Sequence, residues 1–229
     1  MPAAPAALMI FAAGFGTRMG ALTAERPKPM VPVAGRPMIE HALDLAAEAG
    51  IARVVVNLHY RGEQIAAHLA GRGIALSWER GRILETGGGL RAALPMLGPG
   101  PGPVFVLNSD AVFTGPNPLV ALAAAWDGAR MGTLLSLLPA EPGDFGMDAQ
   151  GRLIRAPGVP GYRYLGAAIV DPAGLEQIEA EVFSLNLHWD RLIAQGRAYG
   201  APHRGGWCDV GRPEGIAEAE AMLAGPHVS

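Results

Sequence analysis

The sequence predicts a single α/β domain built on a mainly parallel, mixed sheet flanked by helices, and three observations support this. Short apolar runs alternate with amphipathic stretches along most of the chain. The runs are nearly continuous rather than alternating in polarity, as in strands buried on both faces. Half of the 229 residues are apolar, enough for one substantial core, so residues 1–229 are expected to form one domain.

Taken in order, Leu8 to Ala13 reads as a strand ending at the turn Gly14-Phe15-Gly16. Pro37 to Ala49 is an amphipathic helix, opened by proline and closed by Gly50. A strand at Ile51 to Leu58, a helix at Gly62 to Ala70, a strand at Ile74 to Trp78 and a helix at Gly88 to Leu97 follow. Leu97 to Pro103, LGPGPGP, is a loop. Val104 to Leu107 and Thr133 to Leu138 are strands around a helix at Leu119 to Trp126. Glycine, proline and charge between Ala140 and Pro160 suggest an excursion with a hairpin at Phe145 to Ile154. Tyr164 to Val170 returns as a strand, followed by helices at Pro172 to Glu181 and Leu185 to Gln195. A strand at Trp207 to Val210 and a helix at Pro213 to Leu223 complete the reading.

Composition narrows the function. The net charge of −3, from 18 basic and 21 acidic residues, provides no global field for nucleic acid or anionic lipid. Cys208 is the only cysteine, so no internal disulfide forms and a reducing compartment is expected. No apolar stretch approaches the roughly 20 residues of a membrane span. The N-terminal MPAAPAALMIFAAG lacks a basic n-region and runs into the first strand, so it does not read as a signal peptide. A cytoplasmic protein is expected.

The chemistry concentrates after the first strand. Gly14 and Gly16 let the backbone approach an anion, and successive N–H groups can then point at phosphate oxygens. Arg18 follows, then Lys28 between Pro27 and Pro29. Lys28 is the only lysine among the 18 basic residues. Its retention indicates a compact point charge rather than a planar fork, against the plainer reading of a leftover on the surface. Met19 stands where a dinucleotide fingerprint needs its third glycine, which speaks against a nicotinamide oxidoreductase. Thr17-Arg18-Met19 likewise cannot close a P-loop.

Asp110, just past a buried strand, is a natural Mg²⁺ ligand, although an aspartate there serves equally well as a turn former. Asp209 in Trp207-Cys208-Asp209-Val210-Gly211 has the same two readings. Glu85-Thr86-Gly87-Gly88-Gly89 can bring main-chain groups against a base edge, or simply open a helix. The histidines show no metal-ligand spacing, and no nucleophile elbow appears. Trp189 and Trp207 could stack on a ring, with core packing the plainer reading.

Gly-x-Gly-x-Arg, about ten residues, then Pro-Lys-Pro and Val31-Pro32-Val33-Ala34-Gly35-Arg36-Pro37 together resemble the sugar-1-phosphate nucleotidyltransferases. The resemblance implies a Rossmann-like nucleotidyltransferase domain that transfers a nucleotidyl group from an NTP to a sugar 1-phosphate, releasing pyrophosphate. It makes Arg18 and Lys28 catalytic and Asp110 and Asp209 ligands of Mg²⁺. It assigns Ala13, Gly14, Gly16, Thr17, Glu85, Gly87, Gly88 and Asn108 to the nucleotide, and Asp144 and Gly166 to the sugar. Glu-Thr-Gly-Gly-Gly and Gly143-Asp144-Phe145-Gly146 look like the N-acetylmuramate 1-phosphate uridylyltransferases, which implies uracil and a place in peptidoglycan recycling. Arg212 departs from the threonine usual after Asp-x-Gly in this family. Mannose 1-phosphate with GTP, glucose 1-phosphate with dTTP, phosphocholine with CTP, and a non-catalytic nucleotide-binding regulatory protein are the alternatives. With no regulatory extension after the last helix, a single-function enzyme is expected, monomeric or a small homo-oligomer.

Overall fold

The computed structural model describes residues 5–98 and 102–225. The loop expected at LGPGPGP falls partly on residues 99–101, outside the described residues, as do residues 1–4 and 226–229. The first half comprises β1 (Ala7–Phe11), 3-10 turns at Thr17–Thr23 and Lys28–Met30, the short ribbon β2 (Pro32–Val33) and β3 (Arg36–Pro37), α1 (Met38–Glu48), β4 (Arg53–Leu58), α2 (Gly62–Leu69), β5 (Ala75–Trp78) and α3 (Glu85–Leu97). The second comprises β6 (Val104–Asn108), β7 (Ala111–Phe113), α4 (Pro118–Ala125), β8 (Thr133–Ala140), β9 (Phe145–Met147), β10 (Leu153–Arg155), β11 (Gly161–Val170), a 3-10 turn at Leu175–Gln177, α5 (Leu185–Ala194), β12 (Ala198–Pro202), β13 (Trp207–Asp209) and α6 (Glu214–Ala224).

The main sheet runs β5-β4-β1-β6-β11, with β8 and then β12 beyond β11. β5, β4, β1 and β6 are parallel, β11 is antiparallel to β6 and β8, and β12 is parallel to β8. The β9–β10 hairpin joins the first residues of β11, Phe145 pairing with Tyr162. Leu8 and Ile10 of β1 point into one core with Ile39, Ile65 and Leu119, while Met9 points into another with Leu90, Leu185 and Trp189. Both faces are therefore covered, as the continuous apolar runs require. A third, smaller core of Met19, Val31, Met38, Val112, Cys208, Val210 and Ala219 joins the first 3-10 turn to the β7/β13 ribbon and α6.

The structure corrects three of the expected elements. Pro172 to Glu181 is not a helix but a single 3-10 turn, Leu175–Gln177. Its carbonyls face outward to a side chain: the Arg91 guanidinium donates to those of Leu175, Ile178, Ala180 and Glu181. The second correction is that α3 begins at Glu85, so Gly87, Gly88 and Gly89 lie inside the helix rather than in a loop before it. Each glycine is needed for packing. A Cβ at Gly87 would lie 2.4 Å from the Phe183 ring, one at Gly88 2.4 Å from the Glu181 carbonyl, and one at Gly89 2.7 Å from Glu79 Oε1. Third, β12 is an additional strand, as are the short β2, β3 and β7; its Ala-Tyr-Gly-Ala-Pro holds only one strong strand former, Tyr199. Gly200 admits Leu137 of β8, which a Cβ would meet at 2.4 Å.

A buried polar network ties three strand ends together. Asn57 Oδ1 accepts from Ala12 N–H at 2.7 Å, and its Nδ2 donates to Glu79 Oε1 at 2.6 Å. Glu79 Oε2 accepts from Leu84 N–H at 2.7 Å, so the end of β1 and the start of α3 are joined through the Asn57 amide and the Glu79 carboxylate in series. Both side chains are buried. We expect Asn57→Ala to lower the unfolding free energy by about 2–4 kcal/mol, because it strands Ala12 N–H and a Glu79 oxygen away from water. A urea midpoint matching the wild type would show that these groups find other partners.

Glu40 of α1 links α1 to α2 by accepting from His68 and from both terminal nitrogens of Arg72. The Arg72 hydrogen bonds, supported by His68 and opposed by partial burial, bring its pKa from 4.5 down to about 2. A depressed carboxylate stabilises the fold above its unfolded pKa, and that contribution is lost as pH falls towards the folded value. Glu40→Gln should cost about 1 kcal/mol at pH 7, discounted for the exposure of Arg72. Thermal melts should show the difference narrowing from pH 4.5 and gone below about pH 2.

Candidate active site

The C-terminal ends of β1 and β6 open into one groove made of three adjoining cavities, and Phe11 lines all three. This is where ligands bind in open α/β sheets. Ser109 fixes the two strand ends, its N–H and its hydroxyl both donating to Phe11 O at 3.2 and 2.7 Å.

The central cavity, about 230 Å³, is lined by Gly14, Gly16, Thr17, Arg18, Lys28 and Asp110 among others. Gly16 has a left-handed φ of 65°, and a Cβ there would lie 2.8 Å from Lys28 Cβ. The glycine turn and the Pro-Lys-Pro segment thus touch each other, which only glycine permits. The second 3-10 turn carries Lys28 back to the groove, where its ammonium donates to Asp110 Oδ2.

Asp209 is brought to Asp110 by the backbone. β13 pairs antiparallel with β7, Asp209 opposite Ala111, and Val210 N–H donates to Asp110 O at 2.9 Å. Asp209 is exposed and lines none of the three cavities, but its carboxylate lies against Gly211, which lines the central one. Partial desolvation pushes its pKa up, and the charge of Asp110 adds to the rise. Lys28, Arg18 and Arg163 oppose it. A Cβ on Gly211 would lie 3.0 Å from Asp209 Oδ2 and 3.1 Å from Arg18 Nη2, so guanidinium and carboxylate converge on this bare backbone. Arg212 is exposed beyond the site.

The donor set suits a hard divalent cation. It offers two carboxylates and no nitrogen or sulfur ligand, and among the described residues no cluster of three or more His, Cys, Asp or Glu occurs. Mg²⁺ takes one or two protein carboxylates and fills its other positions with water and phosphate oxygens.

A second cavity, also about 230 Å³, continues from Gly14 past Ala13, Asn57, Ile83, Glu85 and Thr86 to Asn108. Glu85 holds a left-handed φ of 59°, unusual for a residue with a Cβ and typical of strain stored at functional sites. Gly87 and Gly88 do not line this cavity. Their N–H groups donate to Phe183 O at 2.9 and 3.1 Å. Asn57 was missed in the sequence, where nothing distinguishes an asparagine at a strand end from a turn residue, while Thr86 stood within the Glu85–Gly89 run without a contact of its own assigned.

The third and largest cavity, about 320 Å³, lies on the other side of Asn108, between the β9–β10 hairpin and α5. Asp144 lines it, its Oδ2 accepting from Tyr164 N–H at 3.2 Å. Tyr164 and Trp189 meet edge to face on its wall, with centroids 4.9 Å apart. Trp207, by contrast, donates from Nε1 to Leu165 O at 2.7 Å and lines none of the three cavities. Gly166 is not a lining residue either. It sits at the irregularity of β11 with φ 86°, where a Cβ would meet Asn108 Cβ at 3.0 Å, so it makes room for Asn108 from beneath. Among the described residues, no helix is long and apolar enough to cross a membrane.

Comparison with known proteins places this architecture. Residues 8–140 match the MobA-like NTP transferase domain. The chain is 39% identical over 98% of its length, and 99% of the relative's, to an N-acetylmuramate alpha-1-phosphate uridylyltransferase of Caulobacter vibrioides. It is 35% identical to the enzyme of that name in Neisseria meningitidis serogroup B, covering 93% of this chain and 96% of the other. The crystal structure of HddC from Yersinia pseudotuberculosis complexed with GMP-PN shares the fold, with a TM-score of 0.76 at 19% identity over 95% of this chain and 99% of that one. With its glycine turn, lysine and paired aspartates gathered at the end of a parallel sheet, the chain belongs to the MobA-like NTP transferase family and is a sugar-phosphate nucleotidyltransferase.

Proposed function

We propose that this protein transfers the uridylyl group of UTP to N-acetylmuramate 1-phosphate, giving the UDP-sugar and pyrophosphate. The observation that carries this reading is the convergence of Lys28, Arg18, Asp110 and Asp209 beside a cavity suited to a nucleoside, which leads on past Asn108 to one suited to a sugar. Both relatives matched over nearly their whole length support the uracil base and the sugar. That sugar would place the reaction in cell-wall recycling.

In the reaction a phosphate oxygen of the sugar 1-phosphate attacks the α-phosphorus of UTP in line. The bond from that phosphorus to the bridging oxygen breaks, and the electron pair leaves with pyrophosphate. Such a transfer depends on positioning and charge neutralisation more than on acid or base chemistry. The Gly14–Thr17 backbone receives the triphosphate, while Arg18 and Lys28 stabilise the charge developing on the leaving group. Asp110 and Asp209 would hold Mg²⁺, which when bound neutralises phosphate charge and orients both reactants. Thr86, Glu85 and Asn57 face the nucleoside, and Asp144 accepts hydrogen bonds from sugar hydroxyls.

Lys28→Ala should lower turnover by about 10²–10³, the scale of losing one preorganised charge-stabilising donor. Pyrophosphate release from UTP and the sugar phosphate measures this, and a rate near that of the wild type would remove Lys28 from the mechanism. Asp110→Asn should abolish Mg²⁺-dependent turnover while leaving the melting temperature nearly unchanged, because its side chain is part-exposed at a strand end, 23% accessible. A large fall in melting temperature would instead make Asp110 a structural residue. The base assignment is checked by thermal shift with UTP, GTP, CTP and dTTP in Mg²⁺, where UTP should give the largest rise.

A further inference from the structure

Resting on the substrate reading above, we infer that Arg155 is the residue that selects a carboxylate-bearing sugar, by receiving the lactyl carboxylate that distinguishes N-acetylmuramate from N-acetylglucosamine. Of the residues lining the 320 Å³ cavity, Arg155 is the only cation and Asp144 the only carboxylate. A neutral sugar ring needs acceptors and donors for its hydroxyls but no full positive charge. The phosphates have their own cations, Lys28 and Arg18, in the central cavity, which Arg155 does not line.

The guanidinium is held in place before any ligand arrives. Its carbon lies 4.6 Å from the centre of the Phe145 ring, Nε donates to Asp190 Oδ1 at 2.6 Å, and Nη2 donates to Asn186 Oδ1 at 2.8 Å. Asn186 and Asp190 are four residues apart on α5 and so share one face of the helix. Asn186 lines the cavity and Asp190 does not, so the acid braces the arginine from outside it. Among the described residues Nη1 has no partner, while Nη2 donates to Asn186 O at 3.5 Å as well as to Asn186 Oδ1. The two N–H groups of Nη1, at the end of a fixed planar fork, remain to donate to the oxygens of a carboxylate. A lysine in the same place would supply charge without that geometry.

The test compares N-acetylmuramate 1-phosphate with N-acetylglucosamine 1-phosphate, each with UTP and Mg²⁺, in the wild type and in Arg155→Gln and Arg155→Lys. The readout is the ratio of kcat/KM for the two sugars, which a loss of folded enzyme does not move. The wild type should prefer the acidic sugar. Arg155→Gln should lower that preference by about 10–100-fold, the worth of a hydrogen bond between charged groups, with Arg155→Lys between the two. A ratio that stays at the wild-type value in both variants, whether or not the rates fall together, overturns the assignment of Arg155. A wild type without preference for the acidic sugar overturns the substrate reading itself, and this shows before any variant is made.

Discussion

Two carboxylates repel each other, and a fold that sets Asp110 beside Asp209 needs something stronger than side-chain attraction to keep them there. Backbone pairing supplies it. The β7/β13 ribbon fixes their separation by ladder hydrogen bonds, and Val210 N–H closes the pair against Asp110 O. The small core of Val112, Cys208, Val210 and Ala219 clamps the ribbon under α6. Lys28 and Arg18 then offset part of the repulsion from the opposite wall. The site is thus built in opposition: acids on a rigid ribbon, bases on the glycine turn and the proline-flanked segment. Under the proposed function, phosphate charge would be neutralised beside this cluster, where Lys28 already donates to Asp110.

The rest of the molecule keeps that opposition in register. The Asn57–Glu79 network joins the end of β1 to the start of α3, so the Gly14–Gly16 turn and Glu85 cannot drift apart independently. Gly89 gives the Glu79 carboxylate room against the helix, and Gly87 and Gly88 let α3 settle on the Glu181–Phe183 segment. That segment leads into α5, whose Leu185 N–H donates to Thr86 Oγ1 at 2.9 Å. The glycine triplet is thus closely packed, and the α3–α5 contact it allows lies between the second and third cavities. Preorganisation of this kind lowers the cost of holding two substrates for in-line attack.

Much of the groove was legible in the letters because its parts are local. Gly14, Gly16 and Arg18 follow a strand directly, and Lys28 stands out as a lone lysine between two prolines. Asp110 was marked by the apolar run that precedes it. Asn57 and Arg155 had no such marker, since each gains its place only when distant elements meet. The expected helix at Pro172 to Glu181 went wrong for the same reason: the Arg91 side chain, far away in sequence, takes the carbonyls that an isolated segment would bond internally.

By itself, the sequence determined the α/β alternation, the double-sided burial of the parallel strands and the glycine turn after β1, all consequences of short-range sterics and hydrophobic period. The tertiary structure alone decided that Asp209 meets Asp110, that Gly166 yields space to Asn108, and that Arg155 is stacked and braced at the third cavity. Those outcomes depend on strand register and on helix placement over the sheet. They are collective quantities, set by the packing of the whole core, and no local window of residues contains them.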